Sequence, residues 1–258
     1  MKNKILFSTL LILSFIEIKA TEYSAQIQPY IKYIYKSDVS GKITFVDIEK
    51  EKKIYDKKKL IIKVDNKKEQ IELRSLVKTK KNYKDMIKSE KNILKATVLS
   101  KNKSILEKNK EKINFLTLKN TYNDITAKIE TLYDTLNRKK IYIKKGIFLN
   151  KIFVREGEYI TPGSPLFEAF DISKQKIIVN VKVNDIYNIK EKEIFIDGMV
   201  SKDFYINKIS KVEDENKLGT YEVELISNGD ETNKTYKFGE VISIEFITKE
   251  EAVKIMGK

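Results

Sequence analysis

The sequence predicts an α+β protein: a small β unit split by a long antiparallel α-helical coiled-coil hairpin and followed by a small antiparallel β-barrel. Three observations lead to this fold class. Residues 66–138 contain no Gly or Pro and place apolar residues at helical intervals. The strand-like segments before and after this stretch share one pattern of apolar positions. Residues 172–258 contain several alternating or β-branched runs, which are typical of antiparallel strands.

Composition excludes several classes of function. The 258 residues include no Cys, His or Trp, so thiol catalysis, Ser-His-Asp triads, Cys/His zinc sites, disulfides and haem ligation by Cys or His are impossible. The formal charge is +14, but lysine carries nearly all of it, because the only arginines are Arg74, Arg138 and Arg155. Nucleic-acid recognition favours the bidentate guanidinium group. We therefore expect no nucleic-acid partner, no cofactor or metal held by Cys or His, and no catalytic residue of these classes.

The N-terminus has the pattern of a secretory signal peptide. Lys2 and Lys4 precede the apolar run from Ile5 to Ile16, and Ala20 offers a small residue for cleavage. We predict a signal peptide over residues 1–20 that is removed after Ala20. A retained membrane anchor is the alternative, although the apolar run is shorter than the roughly 18 to 20 residues that a spanning helix needs.

Residues 21–65 are predicted to form short strands. The run from Ser24 to Tyr35 is rich in Ile and Tyr, and the run from Gly41 to Ile48 alternates apolar and polar residues. We assign this segment to the N-terminal strands and the first half of the split β unit.

Residues 66–138 are predicted to form two antiparallel helices. The second half has a seam of apolar residues three and four positions apart, which is typical of a coiled coil: Phe115, Leu118, Tyr122, Ile125, Ile129, Leu132 and Leu136. The first half has a poorer seam, in which Lys80, Glu90 and Thr97 accompany Leu73, Leu76, Tyr83, Ile87 and Leu94. At 1.5 Å per residue such a hairpin is on the order of 50 Å long. A single continuous helix in a parallel dimer is the alternative.

Two capping boxes are predicted at the helix starts. Asn66 is followed three residues later by Glu69, and Ser104 is followed three residues later by Glu107. The second box ends the polar stretch that begins after Leu99, which predicts a turn there and a new helix after it.

An internal repeat relates the strands on the two sides of the hairpin. Counted from Gly157, apolar or acidic residues lie at −8, −5, −3, +3, +9 and +14: Leu149, Ile152, Val154, Ile160, Leu166 and Asp171. Counted from Glu51, the same offsets hold Ile43, Val46, Ile48, Ile54, Leu60 and Asp65. The repeat predicts that residues 139–171 form the second half of the split β unit.

The turn residues of the second half are Gly157, Pro162 and Gly163. The two glycines stand where tight turns favour a positive φ, and Pro162 suits the first central position of such a turn. Glu51 and Lys57 replace the glycines in the first half. Altered turns are expected there, since a non-Gly residue in the left-handed region costs roughly 1–2 kcal/mol. The segment around Gly157 and Gly163 resembles the lipoyl/biotinyl half-motif.

The C-terminal segment, residues 172–258, is predicted to form the small antiparallel β-barrel. Its strand-like runs are Ile177 to Val183, Tyr205 to Val212, Tyr221 to Ser227 and Val241 to Ile247. A lipoyl-like unit that is split by a helical hairpin, follows a signal peptide and precedes a barrel resembles the periplasmic adaptor or membrane fusion protein family. This family includes the HlyD-type and RND-efflux adaptors.

The resemblance implies a mechanical function. A member of this family links an inner-membrane transporter of the RND or ABC type to a TolC-like outer-membrane channel in a Gram-negative bacterium. Its copies form a homo-oligomeric ring in the periplasm, and it aligns its partners without catalysing a reaction.

The resemblance also points to residues at the hairpin turn. Channel-docking members carry an Arg, a Leu and a Ser there, and the nearest counterparts in this sequence are Lys95, Leu99 and Ser104. A structural interpretation fits these residues equally well, with Leu99 covering the end of the coiled coil and Ser104 capping a helix.

The alternative functions for this sequence are a carrier domain, a periplasmic enzyme and a coiled-coil scaffold. A true carrier domain needs a modifiable lysine at a turn between the half-motifs, where this chain places the hairpin, and the sequence has no Met-Lys-Met. A periplasmic carboxylate enzyme needs paired acidic residues, and no spacing or motif singles any out. A secreted coiled-coil scaffold of the cell envelope is the remaining alternative.

Overall fold

The computed structural model describes residues 20–215, 217–227 and 236–256. Apart from Ala20, the predicted signal peptide therefore lies outside the described residues. Within the described part, no helix combines the length and the apolar character needed to cross a membrane. The chain divides into two compact units. The hairpin unit comprises residues 31–172, and the sheet unit comprises the residues up to Tyr30 together with residues 173–258.

The hairpin unit contains short strands and two long helices. In chain order its elements are the end of β1 (Tyr23–Lys36), β2 (Gly41–Val46), β3 (Lys53–Ile54), β4 (Lys59–Val64), α1 (Lys67–Leu99), α2 (Ile105–Arg138), β5 (Lys140–Ile143), β6 (Ile147–Ile152), β7 (Tyr159–Ile160) and the start of β8 (Pro165–Lys182). The helices have 33 and 34 residues and are separated by residues 100–104. The chain turns back between them, which excludes one continuous helix.

The two halves of the split β unit pair in the same way. In each half the first strand pairs antiparallel with the third, β2 with β4 and β6 with β8. Each half also pairs with the other, since β2 pairs with β7 and β6 pairs with β3. The repeat in the sequence is therefore a repeat in the fold, and each half completes the other. One core forms from both, with Ile43, Ile61, Leu149, Ile152 and Phe167 among its buried members.

The turn in the first half differs from the predicted one by one residue. The left-handed conformation falls on Lys52, with a φ of 60°, whereas Glu51 has a φ of −59°. The N–H of Lys52 donates to the carbonyl of Leu149 at 2.7 Å, just as the N–H of Gly157 donates to the carbonyl of Ile43 at 2.9 Å. Lys52, and not Glu51, is thus the structural counterpart of Gly157.

This shift changes which residues of the first half are buried. Ile54 was predicted to match Ile160, but Ile54 is 58% exposed whereas Ile160 is 3% exposed. Tyr55, the next residue, is buried in the core instead. Ile48, the predicted counterpart of the buried Val154, is also exposed. It begins a short 3-10 helix, Ile48–Lys50. Up to the turn the first half is one residue longer than the second half, and this helix contains the additional residue.

Glycine is required at the turns of the second half and at the start of β2. Gly157 and Gly163 adopt φ values of +93° and +90°, which are costly for residues with a Cβ atom. Lys57, the predicted counterpart of Gly163, has no positive φ, so that turn is of another type. At Gly41 the reason is packing, because a Cβ atom there would lie 2.6 Å from Cγ1 of Val64.

The sheet unit is an antiparallel half-barrel. It contains the start of β1, the end of β8, β9 (Glu193–Ile196), β10 (Met199–Val200), β11 (Phe204–Glu213), β12 (Thr220–Ser227), β13 (Val241–Ile247) and α3 (Lys249–Met256). The strand order is β10-β9-β13-β1-β8-β12-β11. Among the described residues the outer strands β10 and β11 do not pair with each other. The predicted barrel is therefore an open sheet around one core.

The start of β1 belongs to the sheet unit and not to the split β unit. Tyr23 to Gln26 pair with β13, and Ile27 lies in the core of the sheet unit. The prediction gave residues 21–65 as the N-terminal strands and the first half of the split β unit, without assigning those strands to a unit. The sequence does not show which unit they join, because the partner strand β13 is distant in the chain and strand periodicity does not identify a partner.

Candidate interaction surface at the hairpin tip

α1 and α2 lie antiparallel along the predicted seam. Lys80 Nζ lies 5.3 Å from the centre of the Tyr122 ring, and Glu90 hydrogen bonds to Glu111 nearer the turn. Ile125 and Ile129 are buried. The other predicted α2 seam residues are half-buried: Phe115, Leu118, Tyr122, Leu132 and Leu136. So are the predicted α1 positions: Leu73, Leu76, Lys80, Tyr83, Ile87, Glu90, Leu94 and Thr97.

The base of the hairpin is attached to the strands by a buried lysine. Lys139, directly after α2, donates from Nζ to Oε1 of Glu69 at 2.5 Å and to the carbonyl of Asp65 at 2.8 Å. Burial is the largest influence on the pKa of Glu69 and raises it, but the hydrogen bond from Lys139, a backbone hydrogen bond and the charge of Lys139 together outweigh burial, so the pKa is lowered. Arg138 forms an ion pair with Asp134 within α2 at 2.8 Å. The Lys139 contacts hold the first turn of α1 against the end of α2.

The Asn66–Glu69 capping box is not formed. The side chain of Asn66 makes no cap hydrogen bond, and Asp65 accepts the N–H of Lys67 through Oδ1 at 3.1 Å instead. The Glu69 carboxylate is turned toward Lys139, which binds Oε1, and not toward the N–H of Asn66. This prediction was wrong because the ion pair at the hairpin base orients the Glu69 side chain away from the cap.

The Ser104–Glu107 capping box is formed. The N–H of Glu107 donates to Ser104 Oγ at 3.2 Å, and the N–H of Ser104 donates to Glu107 Oε2 at 2.9 Å. Lys103 Nζ donates to the other carboxylate oxygen at 2.9 Å. The hydrogen bond from Lys103, followed by those from Ser104, lowers the pKa of Glu107 to about 2. Ser104 thus has a structural role at the start of α2.

The tip presents apolar side chains to solvent. Leu99 is 73% exposed, so it does not cover the end of the seam. Val98, Ile105 and Leu106 are 52%, 79% and 80% exposed. Lys95 is exposed one helical turn before Leu99. We call Val98, Leu99, Ile105 and Leu106 the tip patch. These two pairs of apolar residues, which the seam does not use, lie at the same end of the hairpin, one before the turn and one after it.

Most of the tip patch was not predicted. Of the predicted tip residues Lys95, Leu99 and Ser104, which rest on a resemblance, only Leu99 belongs to the patch. A signal was present in the sequence: Val98, Ile105 and Leu106 flank the predicted turn but fall outside the seam positions. Apolar residues off the seam near a turn have no helix to pack against.

Two acidic side chains face each other inside the seam near the tip. Burial, followed by the hydrogen bond and the charge of Glu111, raises the pKa of Glu90. Asn114 Nδ2 lies 3.5 Å from Oε2 of Glu111. Two ionised carboxylates repel, so the pair is most stable when it holds one proton.

We expect Glu90→Gln to stabilise the helices at neutral pH. Because the pKa of Glu90 is raised on folding, protonated Glu90 stabilises the folded parent protein at low pH. This stabilisation is lost as the pH rises through the pKa of the folded state. The gain from the variant, about 0.2–1 kcal/mol for a pair in contact with solvent, should therefore appear near pH 7 and vanish near pH 4. Urea unfolding followed by helical circular dichroism measures it.

The matched control is Glu72→Gln, at an exposed position of α1. It should leave the pH dependence of the free energy of unfolding unchanged. An equal gain from Glu90→Gln at both pH values would contradict the shared proton.

Several solved structures have a similar fold, whereas no protein-family model and no curated protein matches the sequence. The membrane fusion protein Spr0693 from Streptococcus pneumoniae R6 is similar over 89% of this chain and 100% of that one, with 10% identity and a TM-score of 0.68. A MacA-MexA chimeric protein with the Pseudomonas aeruginosa MexA α-hairpin domain is similar over 88% and 80%, with 16% identity and a TM-score of 0.62. MacA from Actinobacillus actinomycetemcomitans is similar over 88% and 78%, with 16% identity and a TM-score of 0.59. At these identities the likeness is one of fold.

Proposed function

We propose that this chain, which has the fold of the membrane fusion proteins, is a periplasmic adaptor. It links an inner-membrane transporter to a TolC-like outer-membrane channel for efflux or secretion, and it catalyses no reaction. The observation that carries this proposal is the tip patch, an exposed apolar surface at the end of a long helical hairpin. A hairpin of 33 and 34 residues per helix reaches roughly 50 Å.

The tip patch is the part of the hairpin that docks onto the channel. Leu99, Ile105 and Leu106 supply apolar contact area, and Lys95 supplies a positive charge beside it. Ser104 acts indirectly, since its capping box fixes the path of the turn between the two apolar pairs. Exposed apolar groups of this kind mark interaction sites, because burying them on a partner removes them from water.

The hairpin base and the split β unit give the tip a rigid support. The Lys139 contacts tie both helices to the strands, so a force at the tip is transmitted to the β unit. We propose that copies of the chain form a ring in the periplasm of a Gram-negative bacterium, at the inner membrane. There the ring contacts a transporter of the RND or ABC type, which supplies the energy for export.

In-cell photo-crosslinking from the tip tests the proposal. A photoreactive amino acid at position 99 or 106 should capture an outer-membrane channel protein, identified by mass spectrometry. The matched position is 113, because Ile113 is also an exposed apolar residue of α2 but lies two turns from the tip. Crosslinks from the tip to this chain alone, with no envelope partner, would replace the adaptor role with that of a coiled-coil scaffold.

A further inference from the structure

A cavity of about 200 Å³ lies in the sheet unit where the described chain begins. Its lining includes Ala20, Thr21 and Tyr23 from the start of the described chain, and the charged residues Asp185, Lys192 and Glu251. Ala20 also packs against the small apolar cluster that joins β9, β13 and α3. The residue at which cleavage is predicted therefore forms part of a cavity wall.

Asp185 is the centre of the hydrogen bonds around this cavity. The Tyr23 hydroxyl donates to Oδ2 of Asp185, and the side chain of Thr21 hydrogen bonds to the same carboxylate. Burial, followed by the bond to Asp185, raises the pKa of Tyr23 to about 12, so the phenol remains a donor at neutral pH. Burial is the largest influence on the pKa of Asp185 and raises it, but the hydrogen bonds from Tyr23 and Thr21 and the charges of Lys192 and Lys182 together outweigh burial, so the pKa is lowered. Asp185 is therefore ionised.

The charges that line the cavity sum to −1. Asp185 and Glu251 contribute two negative charges, and Lys192 contributes one positive charge. Lys192 Nζ donates to the backbone carbonyl of Asp185 at 3.1 Å, and Glu251 Oε2 accepts from the Thr248 hydroxyl at 2.8 Å. Lys182, outside the lining, also acts on Asp185 through its charge, so what favours a small cation with hydrogen-bond donors here is the pair of acidic side chains in the lining and not a net charge.

We propose that this cavity binds the α-ammonium group of Thr21 after the chain is cut following Ala20. Hydrolysis of the Ala20–Thr21 peptide bond adds one water, leaves a carboxylate on Ala20 and gives Thr21 a free amine, which takes up a proton. The side chain of Thr21 already contacts Asp185. The α-nitrogen of Thr21 is bonded to the same Cα that carries this side chain. Removal of Ala20 opens the wall at that nitrogen.

Cleavage after Ala20 is then a step in the assembly of the sheet unit, because it creates the ammonium group that the cavity binds. The new ammonium group pairs with Asp185 and holds the start of β1 against the end of β8. Such an ion pair raises the pKa of the α-amino group above its ordinary value of about 7.7 to 8.0. The stabilisation is complete below that ordinary value and is lost as the pH rises through the raised pKa.

The test begins with the mature protein from the cell envelope. Mass spectrometry of its N-terminal peptide should give Thr21 as the first residue. The pH profile of reductive methylation at that amine, read by mass spectrometry, gives the pKa of the group. A pKa one unit above the ordinary value makes the midpoint rise by one pH unit and the reactive fraction at pH 7 fall about tenfold.

Variants separate the ion pair from a general effect of burial. Asp185→Asn should return the midpoint to the ordinary value, whereas Tyr23→Phe, which keeps the carboxylate, should leave it raised. Asp203→Asn is the matched control, because Asp203 is an exposed aspartate of the same unit. Circular dichroism verifies that each variant is folded.

Two results would overturn the proposal. One is an N-terminus other than Thr21, including a retained apolar segment. The other is an ordinary midpoint in the folded parent. Neither result bears on docking at the hairpin tip, so this inference and the adaptor role stand or fall separately.

Discussion

Export is expected to stop when charges replace the apolar residues of the tip patch, while the protein remains folded and abundant. The variant is Leu99→Lys with Leu106→Asp. Both side chains are exposed, so neither change creates a cavity in the seam. The central residues of an interface typically contribute about 2 kcal/mol or more each, which is roughly a thirtyfold loss of affinity per residue. Two such losses should abolish docking under cellular conditions.

The charges are chosen so that folding is not disturbed. Leu99 ends α1 and Leu106 lies in the first turn of α2. A positive charge suits a helix C-terminus and a negative charge suits an N-terminus, because of the helix dipole. Substitution of Ser104 would be a poorer test, since it breaks the capping box, which contributes about 1 kcal/mol.

The control variant is Ile113→Asp, at an exposed position of α2 away from the tip. Export is measured by the accumulation of a transported substrate in cells, and abundance by immunoblot of the envelope fraction. We expect export to be lost only in the tip variant. Normal export by the tip variant, at normal abundance, would contradict docking through the tip patch.

Periodicity and local capping were enough to predict the hairpin. A seam that repeats every three and four residues specifies one buried stripe, and each of the seven seam positions from Phe115 to Leu136 is buried in part or in full. The Ser104 box is equally local, since its partners lie three residues apart. Signals of this kind need no knowledge of distant partners.

The sequence was insufficient where contacts between distant residues determine the structure. Glu69 binds Lys139, which is 70 residues away in the sequence, instead of forming the predicted cap. The start of β1 joined the sheet unit through β13. The tip patch exists because a turn puts two separate exposed apolar pairs at the same end of the hairpin. In each case the sequence contained the residues but not the contact.

The repeat between the two β halves was detected from local periodicity, but its exact register depends on contacts between distant residues. This register gives the second prediction. The sequence aligns Ile54 with Ile160, whereas the structure buries Ile160 and Tyr55 and exposes Ile54. We therefore expect Ile160→Asp to unfold the hairpin unit. It removes a buried side chain, which costs about 2–5 kcal/mol for aliphatic truncation, and it buries an unpaired carboxylate at further cost. This is comparable with the total stability of a domain, about 5–15 kcal/mol.

The same substitution at the position that the repeat aligns with it should be tolerated. Ile54→Asp loses only a cross-strand contact with Phe148, worth about 0.2–1 kcal/mol, because the side chain is already in water. Tyr55→Ala should cost about 3–5 kcal/mol as a buried aromatic truncation, including its hydrogen bond to the carbonyl of Lys50. Thermal unfolding of the three variants ranks them.

If Ile54→Asp were as destabilising as Ile160→Asp and Tyr55→Ala were neutral, the first half would keep the register that the sequence suggests, and Lys52 would not be the counterpart of Gly157. The expected ranking follows from one extra residue before Lys52, which leaves the strand pattern intact but moves every side chain after it to the neighbouring position.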